Sequence, residues 1–171
     1  MNQQFNELKN NNILNNQEIK CNNSERIKYI GQVLNGVPEG KGVMYWNIGD
    51  RYNGEWKNDN KEGKGIYYYN NGDIYEDDYK NGKMEGRVIY FYNNGHIYEG
   101  GYKNGKMEGK GIYYFSNGDR YEGGWKNDKV HGKGIYYYSN GDRELGNYAN
   151  GKKIGKHVKL TSSGEVNEKY Y

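Results

Sequence analysis

Histidine, cysteine and carboxylate side chains are the residues of this chain that could support metal or acid–base chemistry. His96, His131 and His157 fall at three different kinds of position, a turn, a loop and the start of a strand, and no two have a metal-ligand spacing. Cys21 is the single cysteine, so it can form neither an intramolecular disulfide nor a multi-cysteine metal site. We therefore expect no metal and no cofactor.

Carboxylates recur in a regular column rather than in one cluster. Asp50, Asp73, Asp119 and Asp142 each follow a glycine that ends an Asn-Gly or Ile-Gly pair. An aspartate in such a turn usually bonds local backbone, whereas a catalytic carboxylate is more often singular and buried. The glycines lead into strands and not helices, so they do not form a phosphate-binding loop. The sequence predicts that the chain is not an enzyme.

A repeat of 23 residues positions these side chains. Six copies begin at Tyr29, Tyr52, Tyr75, Tyr98, Tyr121 and Glu144. They cover residues 29–166, as 29–51, 52–74, 75–97, 98–120, 121–143 and 144–166. Two glycine columns are unbroken, one of them beginning at Gly49, and predict a shared backbone conformation; the other comprises Gly40, Gly63, Gly86, Gly109, Gly132 and Gly155. A fixed period of this length indicates one supersecondary unit stacked many times.

Each copy predicts two strands joined by a tight turn. In Tyr121–Trp125 the large rings alternate with small or polar residues, which places them on one face of a strand. An Asn-Gly pair such as Asn104-Gly105 follows, and this pair favours a two-residue hairpin turn. The segment Gly134–Tyr138 then supplies a second strand rich in aromatic residues. We expect an all-β fold, an elongated single-layer antiparallel sheet of six stacked hairpins with about twelve strands.

The composition agrees with a thin sheet whose contacts are aromatic. Only 33% of the residues are hydrophobic, but 16% are aromatic and 21 are tyrosine. A single hairpin is marginal in water, so stability must accumulate between neighbouring copies. The net charge of +3 is too small to indicate a nucleic-acid partner. The chain has no apolar run long enough to span a bilayer, and its cysteine usage favours an intracellular, reducing location.

Two series of rings have different predicted roles. The first-strand rings, among them Tyr52, Trp56 and Trp125, are expected to pack on each other as structural residues. Second strands carry consecutive aromatics, which must point to both faces, so a one-layer sheet cannot bury all of them. Exposed rings favour an aromatic groove that binds a protein partner. The candidate partner-binding rings are Trp46, Tyr68, Phe91, Tyr114 and Tyr137.

Irregular parts of the chain are further candidates for partner choice. Residues 1–28 are rich in asparagine and are expected to be flexible or bound to a partner. If they are bound, a short helix with a weak apolar stripe is one way they could be ordered, although asparagine disfavours a helix. That stripe comprises Phe5, Leu8, Ile13, Leu14 and Ile19. Asp77-Asp78 interrupts the third copy and predicts a local acidic spot. The first and last copies depart from the repeat sequence, and the chain ends in a short tail, 167–171. These ends leave strand edges that favour self-association.

The register of Tyr121-Glu122-Gly-Gly-Trp125, followed by Gly132-Lys-Gly-Ile and by Asn140-Gly-Asp, closely resembles the MORN (membrane occupation and recognition nexus) repeat. The resemblance covers residues 29–166 and implies an elongated antiparallel sheet in a scaffold or adaptor of cytoskeletal or ciliary assemblies. Some relatives carry a kinase or methyltransferase domain, for which this chain has no matching segment. Two alternatives remain, a peripheral phosphoinositide-binding module that uses the lysine columns and an accessory subunit of an enzyme complex.

Overall fold

Every regular element in the described residues is a β-strand. The computed structural model describes residues 13–21, 24–84 and 86–171. The chain divides into two units, the first ending at Lys83 and the second beginning at Met84. The all-β prediction is confirmed.

The first unit is an antiparallel sheet in which strands that are consecutive in sequence are neighbours. Its strands are β1 (Ile13–Lys20), β2 (Arg26–Leu34), β3 (Val37–Trp46), β4 (Arg51–Lys57), β5 (Asn60–Tyr68) and β6 (Ile74–Lys80). A two-residue strand, β7 (Lys83–Met84), lies at the junction of the units.

The second unit is also an antiparallel sheet of strands joined by hairpins. Its strands are β8 (Gly86–Phe91), β9 (Ile97–Lys103), β10 (Lys106–Tyr114), β11 (Arg120–Lys126), β12 (Lys129–Tyr137), β13 (Arg143–Ala149), β14 (Lys152–Leu160) and β15 (Val166–Tyr170). They pair antiparallel in sequence order. Strands β13 and β14 give the sixth predicted copy the same strand–turn–strand form as the others.

Strand β1 corrects the expectation for part of the leader. Ile13, Leu14 and Ile19 lie in this strand, so the alternative of a helical stripe through them is wrong. The strand pairs with β2, so its backbone is hydrogen-bonded in a sheet, and asparagine is a poor residue for a helix interior. Phe5 and Leu8 of the predicted stripe lie outside the described residues.

The hairpin turns follow the predicted chemistry. Asn104 and Gly105 have φ of 52° and 75°, and Asn81 and Gly82 have φ of 49° and 75°. Two consecutive positive φ angles match the twist of the flanking strands, which is why Asn-Gly is favoured there.

A buried tyrosine over a pair of glycines forms the core of a typical copy. Tyr52 is fully buried, and its phenol lies against Gly54 on its own strand and Gly65 on the next strand, where any added Cβ would overlap the ring. Gly54 and Gly65 face each other across β4 and β5. The ring therefore fills space that the two glycines leave empty, and this allows a single sheet to bury a large aromatic side chain.

Neighbouring copies share these rings through edge-to-face contacts and buried hydrogen bonds. The Tyr52 ring meets Trp56 at 5.2 Å and Tyr79 at 5.0 Å between centroids, both nearly perpendicular. Trp56 donates its indole N–H to the Gly42 carbonyl over 3.1 Å. In the second unit Trp125 donates in the same way to Gly111, over 3.3 Å. The copies that carry Trp56 and Trp125 are thus tied to the preceding copy by a ring and a donor.

Gly65→Ala tests the ring-over-glycine contact. The added methyl group must displace the Tyr52 ring, and overpacking of this kind costs about 1–3 kcal/mol of unfolding free energy. Gly105→Ala is the control, because its positive φ costs alanine about 1–2 kcal/mol of stability, a loss of similar size, but no atom lies within 4 Å of the new Cβ. Urea unfolding measures the stability of both variants. The near-ultraviolet circular dichroism of the folded protein, which reports ring packing, should decrease for Gly65→Ala only. Equal spectra for both variants would contradict the contact.

Candidate functional site

The two faces of each sheet carry different chemistry. We call the face that holds Tyr52 in the first unit and Tyr98 and Tyr121 in the second the ring face, and the opposite face the outer face. Strand alternation divides the second-strand aromatics between them: Tyr67 lies on the ring face and Tyr68 on the outer face.

The outer face carries four of the predicted partner-binding rings. Tyr68 lies on it in the first unit, and Phe91, Tyr114 and Tyr137 lie on it in the second. Phe91 is 37% exposed and the three tyrosines are half-buried. Trp46 is on the ring face instead, where its ring lies 5.4 Å from that of Tyr67.

The two predicted acidic site residues, Asp77 and Asp78, lie on opposite faces of the sheet. Asp77 is buried on the ring face at 5% exposure, whereas Asp78 is exposed on the outer face opposite Lys64. The structure therefore does not bring them together as one acidic spot, because adjacent strand residues point to opposite sides. The glycines predicted as structural, Gly40, Gly63, Gly86, Gly109, Gly132 and Gly155, all have positive φ, from 58° to 114°.

Arginines stacked on the outer-face rings were missed by the sequence reasoning. The Cζ atom of Arg51 lies 4.1 Å from the Tyr68 ring centroid, and that of Arg120 lies 4.0 Å from the Tyr137 ring centroid. Planar guanidinium groups stack well on aromatic faces. The signal in the sequence is a shared repeat position, since Arg51, Arg120 and Arg143 each directly follow a turn aspartate.

An open groove lies on the outer face of the second unit. It has a volume of about 960 Å³, and its apolar lining is aliphatic, with Ile112, Ile135 and Leu145. Lys110, Glu122 and Lys133 are among its charged lining residues. The predicted rings Tyr114 and Tyr137 are not among the residues that line this groove but lie two residues further along β10 and β12, and the groove lined by aromatic rings stays a prediction.

The turn aspartates connect successive copies. Asp119 accepts hydrogen bonds from the Tyr136 hydroxyl over 2.8 Å and from the Ser139 backbone N–H over 2.7 Å. The Ser139 N–H, with the Tyr136 hydroxyl, holds the pKa of Asp119 below its usual value. Asp50 makes the equivalent bonds to Tyr67 and to the Asn70 N–H. The carboxylates thus reach the next copy and not only the local turn that the sequence suggested.

In the sixth copy the buried ring comes from the second strand instead of the first. Glu144 stands where other copies have tyrosine, and the buried His157 ring from β14 lies against Gly146 in its place. The His157 Nδ1 is 3.1 Å from Glu144 Oε1, and Lys153 donates to the same carboxylate over 2.6 and 2.7 Å. Burial raises the pKa of Glu144, but the bonds from Lys153 and Tyr138 outweigh it and hold that pKa below its usual value.

His96 and His131 lie far apart from that cluster in sequence. His96 Nδ1 is 3.0 Å from the Tyr113 hydroxyl, and His131 is half-buried in β12. Within residues 13–21, 24–84 and 86–171, no three His, Cys, Asp or Glu side chains are arranged as metal ligands. The same residues contain no helix long and apolar enough to cross a membrane.

Lys61 lies in a cage of aromatic rings on the ring face of the first unit. Its Nζ is 4.2 Å from the Tyr67 ring centroid and 5.0 Å from that of Trp46. The rings of Tyr52 and Tyr79 complete the cage at 5.1 and 5.4 Å. Burial, reinforced by the charge of Arg26, lowers the pKa of Lys61 to about 8. The same repeat position includes Met107, Val130 and Lys153 in the second unit, so both charged and uncharged side chains occupy it.

The family of the chain follows from its repeats. The MORN repeat model matches residues 29–51, 52–74, 78–97, 98–120 and 121–143. The chain belongs to the MORN repeat family. Four of these ranges have the predicted bounds, and the third begins at Asp78, after the position where Asp77 replaces glycine. The sixth predicted copy, 144–166, lies outside the matched ranges and stays a prediction, as do the bounds of the leader and tail.

Solved structures of low sequence identity resemble the MORN chain. One is the SAS-4 (dCPAP) TCP domain of Drosophila melanogaster in complex with a proline-rich motif of Ana2 (dSTIL). It has a TM-score of 0.47 and 15% identity, over 91% of this chain and 89% of that one. Another is the TCP10 domain of Danio rerio CPAP, with a TM-score of 0.31 and 11% identity, over 90% and 88% of the two chains. No curated protein matches in sequence. Likenesses this distant carry no argument about function.

Lys61→Met tests the burial of the ammonium group. In the unfolded chain lysine titrates near 10.5, so between pH 8 and 10.5 the unfolded state binds more protons than the folded one. The unfolding free energy of the wild type should therefore rise from pH 7.5 to about 9.5, below the titration of unfolded tyrosine near pH 10. Lys61→Met should lose this rise. Lys64→Met, on the exposed outer face, is the control and should keep it. An unchanged slope in Lys61→Met would exclude the effect.

Asp77→Asn tests the buried carboxyl group of the third copy. Burial raises the pKa of Asp77 to about 6, although the Tyr75 hydroxyl and the Asp78 N–H donate to it over 3.0 and 2.6 Å. A folded pKa above the unfolded value of 3.8 means that stability is present below pH 3.8 and lost as pH rises through 6. Asp77→Asn should be more stable than the wild type at pH 7, and the difference should vanish towards pH 4.

Asp78→Asn is the matched control for that measurement. It removes a charge from the adjacent, exposed position. Thermal melts at pH 4, 5, 6 and 7 should show no comparable convergence with the wild type. If both variants behave alike, the pH dependence does not come from the buried site.

Proposed function

We propose that this MORN repeat chain is a non-enzymatic scaffold or adaptor that binds protein partners within a larger assembly. The observation that carries the proposal is the outer face of the second unit. It combines the open groove of about 960 Å³ with half-buried rings at its border, Tyr114 and Tyr137. Leu145 is 40% exposed within the groove. Exposed apolar surface rimmed by charged groups is typical of protein-binding sites.

The chemistry of the described residues supports binding rather than turnover. The buried carboxylates that could serve as acids or bases are engaged in structural bonds, among them Glu144 with Lys153, Asp142 with Lys159, and Asp77 with the Tyr75 hydroxyl. A general acid or base must reach a substrate proton directly or through one water. The groove, which is where a ligand would have access, is lined by glycine, aliphatic, lysine, arginine, asparagine and glutamate residues.

The end strands provide a second means of association. Strand β15 pairs with β14 on one side, and Val166 and Tyr170 are 62% and 72% exposed. Strand edges with exposed apolar residues favour pairing with another chain. We include self-association through such edges in the proposed function. The proposed function also includes a cytoskeletal or ciliary setting. Membership of the MORN family motivates this part of the proposal.

Tyr114→Ala combined with Tyr137→Ala tests the outer face. Truncating the two rings should reduce capture of native partners from a cell extract several-fold, because interface rings carry a large share of binding free energy. Partners would be quantified by mass spectrometry after crosslinking. Tyr170→Ala is the control, since it removes an exposed ring from β15 and leaves the groove intact.

The double tyrosine variant tests partner binding by the outer face, and Tyr170→Ala tests self-association through the edge strand β15. Tyr170→Ala should keep the captured partners but weaken any self-association seen by analytical ultracentrifugation. Circular dichroism melts must match the wild type for both variants. An identical set of partners, in identical amounts, for the double tyrosine variant would count against the outer face as the binding site.

A further inference from the structure

Four outer-face residues of the second unit form a row of alternating rings and guanidinium groups. The register pairs Tyr114 with Arg120, Arg120 with Tyr137, and Tyr137 with Arg143, so the four side chains lie side by side on β10 to β13. We call this set the Arg–Tyr row. Adjacent strands are about 4.8 Å apart, which places Arg120 and Arg143 roughly 9.6 Å from each other along the row.

The guanidinium groups of the row have no acidic partner among the described residues. Neither Arg120 nor Arg143 lies in an ion pair there, whereas Arg87 pairs with Glu99 over 2.8 Å. The Arg120 Nε is buried without a hydrogen-bond acceptor in the same part of the chain. Stacking on Tyr137 at 4.0 Å holds the Arg120 group flat and leaves its terminal N–H groups as donors. A fixed, unpaired guanidinium is suited to bidentate binding of a carboxylate or phosphate.

The groove beside the row distinguishes between these anions. Ile112 and Ile135 are two residues from Tyr114 and Tyr137 on the same strands and the same face, so the apolar lining runs parallel to the Arg–Tyr row. Glu99 and Glu122 in its lining are offset by Arg87, Lys110 and Lys133, and a concave apolar groove suits the side chains of a peptide better than the polar headgroups of a lipid surface. A peptide can instead place apolar side chains in the groove and carboxylates on the row.

We propose that the outer face of the second unit binds an acidic, extended segment of a partner protein, with carboxylates on Arg120 and Arg143 and apolar side chains in the groove. This inference rests on the proposed binding function and specifies the chemistry of the partner. Over three residues an extended chain advances about 9.3 Å as polyproline II and about 10 Å as a β-strand, and both lengths are close to the spacing of the two strands that carry the arginines. The segment therefore carries an acidic residue at every third position and an apolar residue on the neighbouring edge.

A synthetic peptide of five Glu-Pro-Leu triplets is the probe, because proline favours the extended conformation and opposes helix and strand pairing. Fluorescence anisotropy with the full chain should show saturable binding that weakens as salt rises. A Gln-Pro-Leu peptide of the same length should bind about tenfold more weakly or worse, since it lacks the charge-assisted bonds. Absence of binding by the Glu-Pro-Leu peptide would overturn the proposal.

Variants of the row identify the contact. Arg120→Gln combined with Arg143→Gln should lose about tenfold or more in affinity for the Glu-Pro-Leu peptide. Arg120→Lys should also bind more weakly, because lysine keeps the charge but loses the planar fork that stacks on Tyr137. Lys103→Gln combined with Lys126→Gln is the charge-matched control and should bind like the wild type. Equal losses in the arginine and lysine pairs would reduce the effect to net charge and contradict the assignment.

Two further results would point elsewhere. If Glu and Gln peptides bind equally and the arginine variants change nothing, the acidic partner is wrong, while the proposed binding function stands on its own partner-capture test. If phosphatidylserine-containing vesicles bind through Arg120 and Arg143 and the peptide does not, the ligand is a lipid surface and the inference is overturned.

Discussion

The fold of this MORN chain depends on one contact, a phenol ring lying over two facing glycines. A single sheet has no second layer in which to bury a tyrosine, and Tyr52 and Tyr121 are nonetheless almost fully buried. They achieve this because the glycines opposite the rings carry no side chain on that face. Edge-to-face rings and the indole donors of Trp56 and Trp125 then join one copy to the next. Stability accumulates by neighbour contacts, as in other repeat proteins.

The asymmetry of the two faces follows from that contact. The ring face uses its aromatic side chains for packing, including the rings that surround Lys61. The outer face is not required for this packing, so its side chains can vary with function. In the second unit they form a groove beside an alternating series of rings and guanidinium groups. Repetition of the hairpin spaces these groups at about two strand widths, which gives any partner a regular pattern to match.

Departures from the repeat show how the contact tolerates change. Asp77 replaces a glycine, and the Tyr75 hydroxyl then donates to its buried carboxyl group, while Tyr98 donates to a backbone carbonyl. In the sixth copy the ring comes from the opposite strand, since His157 fills the space over Gly146 and Glu144 occupies the tyrosine position. The space over the glycine is filled in both units, but the residue that fills it is not always the one that the repeat predicts.

The sequence by itself determined the 23-residue period, the strand and turn alternation, the positive-φ glycines and the MORN family, because these depend on local conformation and spacing. Only the tertiary structure decided which side chains meet. Asp50 reaches Tyr67, 17 residues away, and Arg120 stacks on a ring of the following copy. It also placed Trp46 apart from Tyr68, whereas strand alternation alone separates Asp77 from Asp78. The physical reason is that cross-strand register selects these contacts, and a repeat pattern does not fix the register until the strands pair.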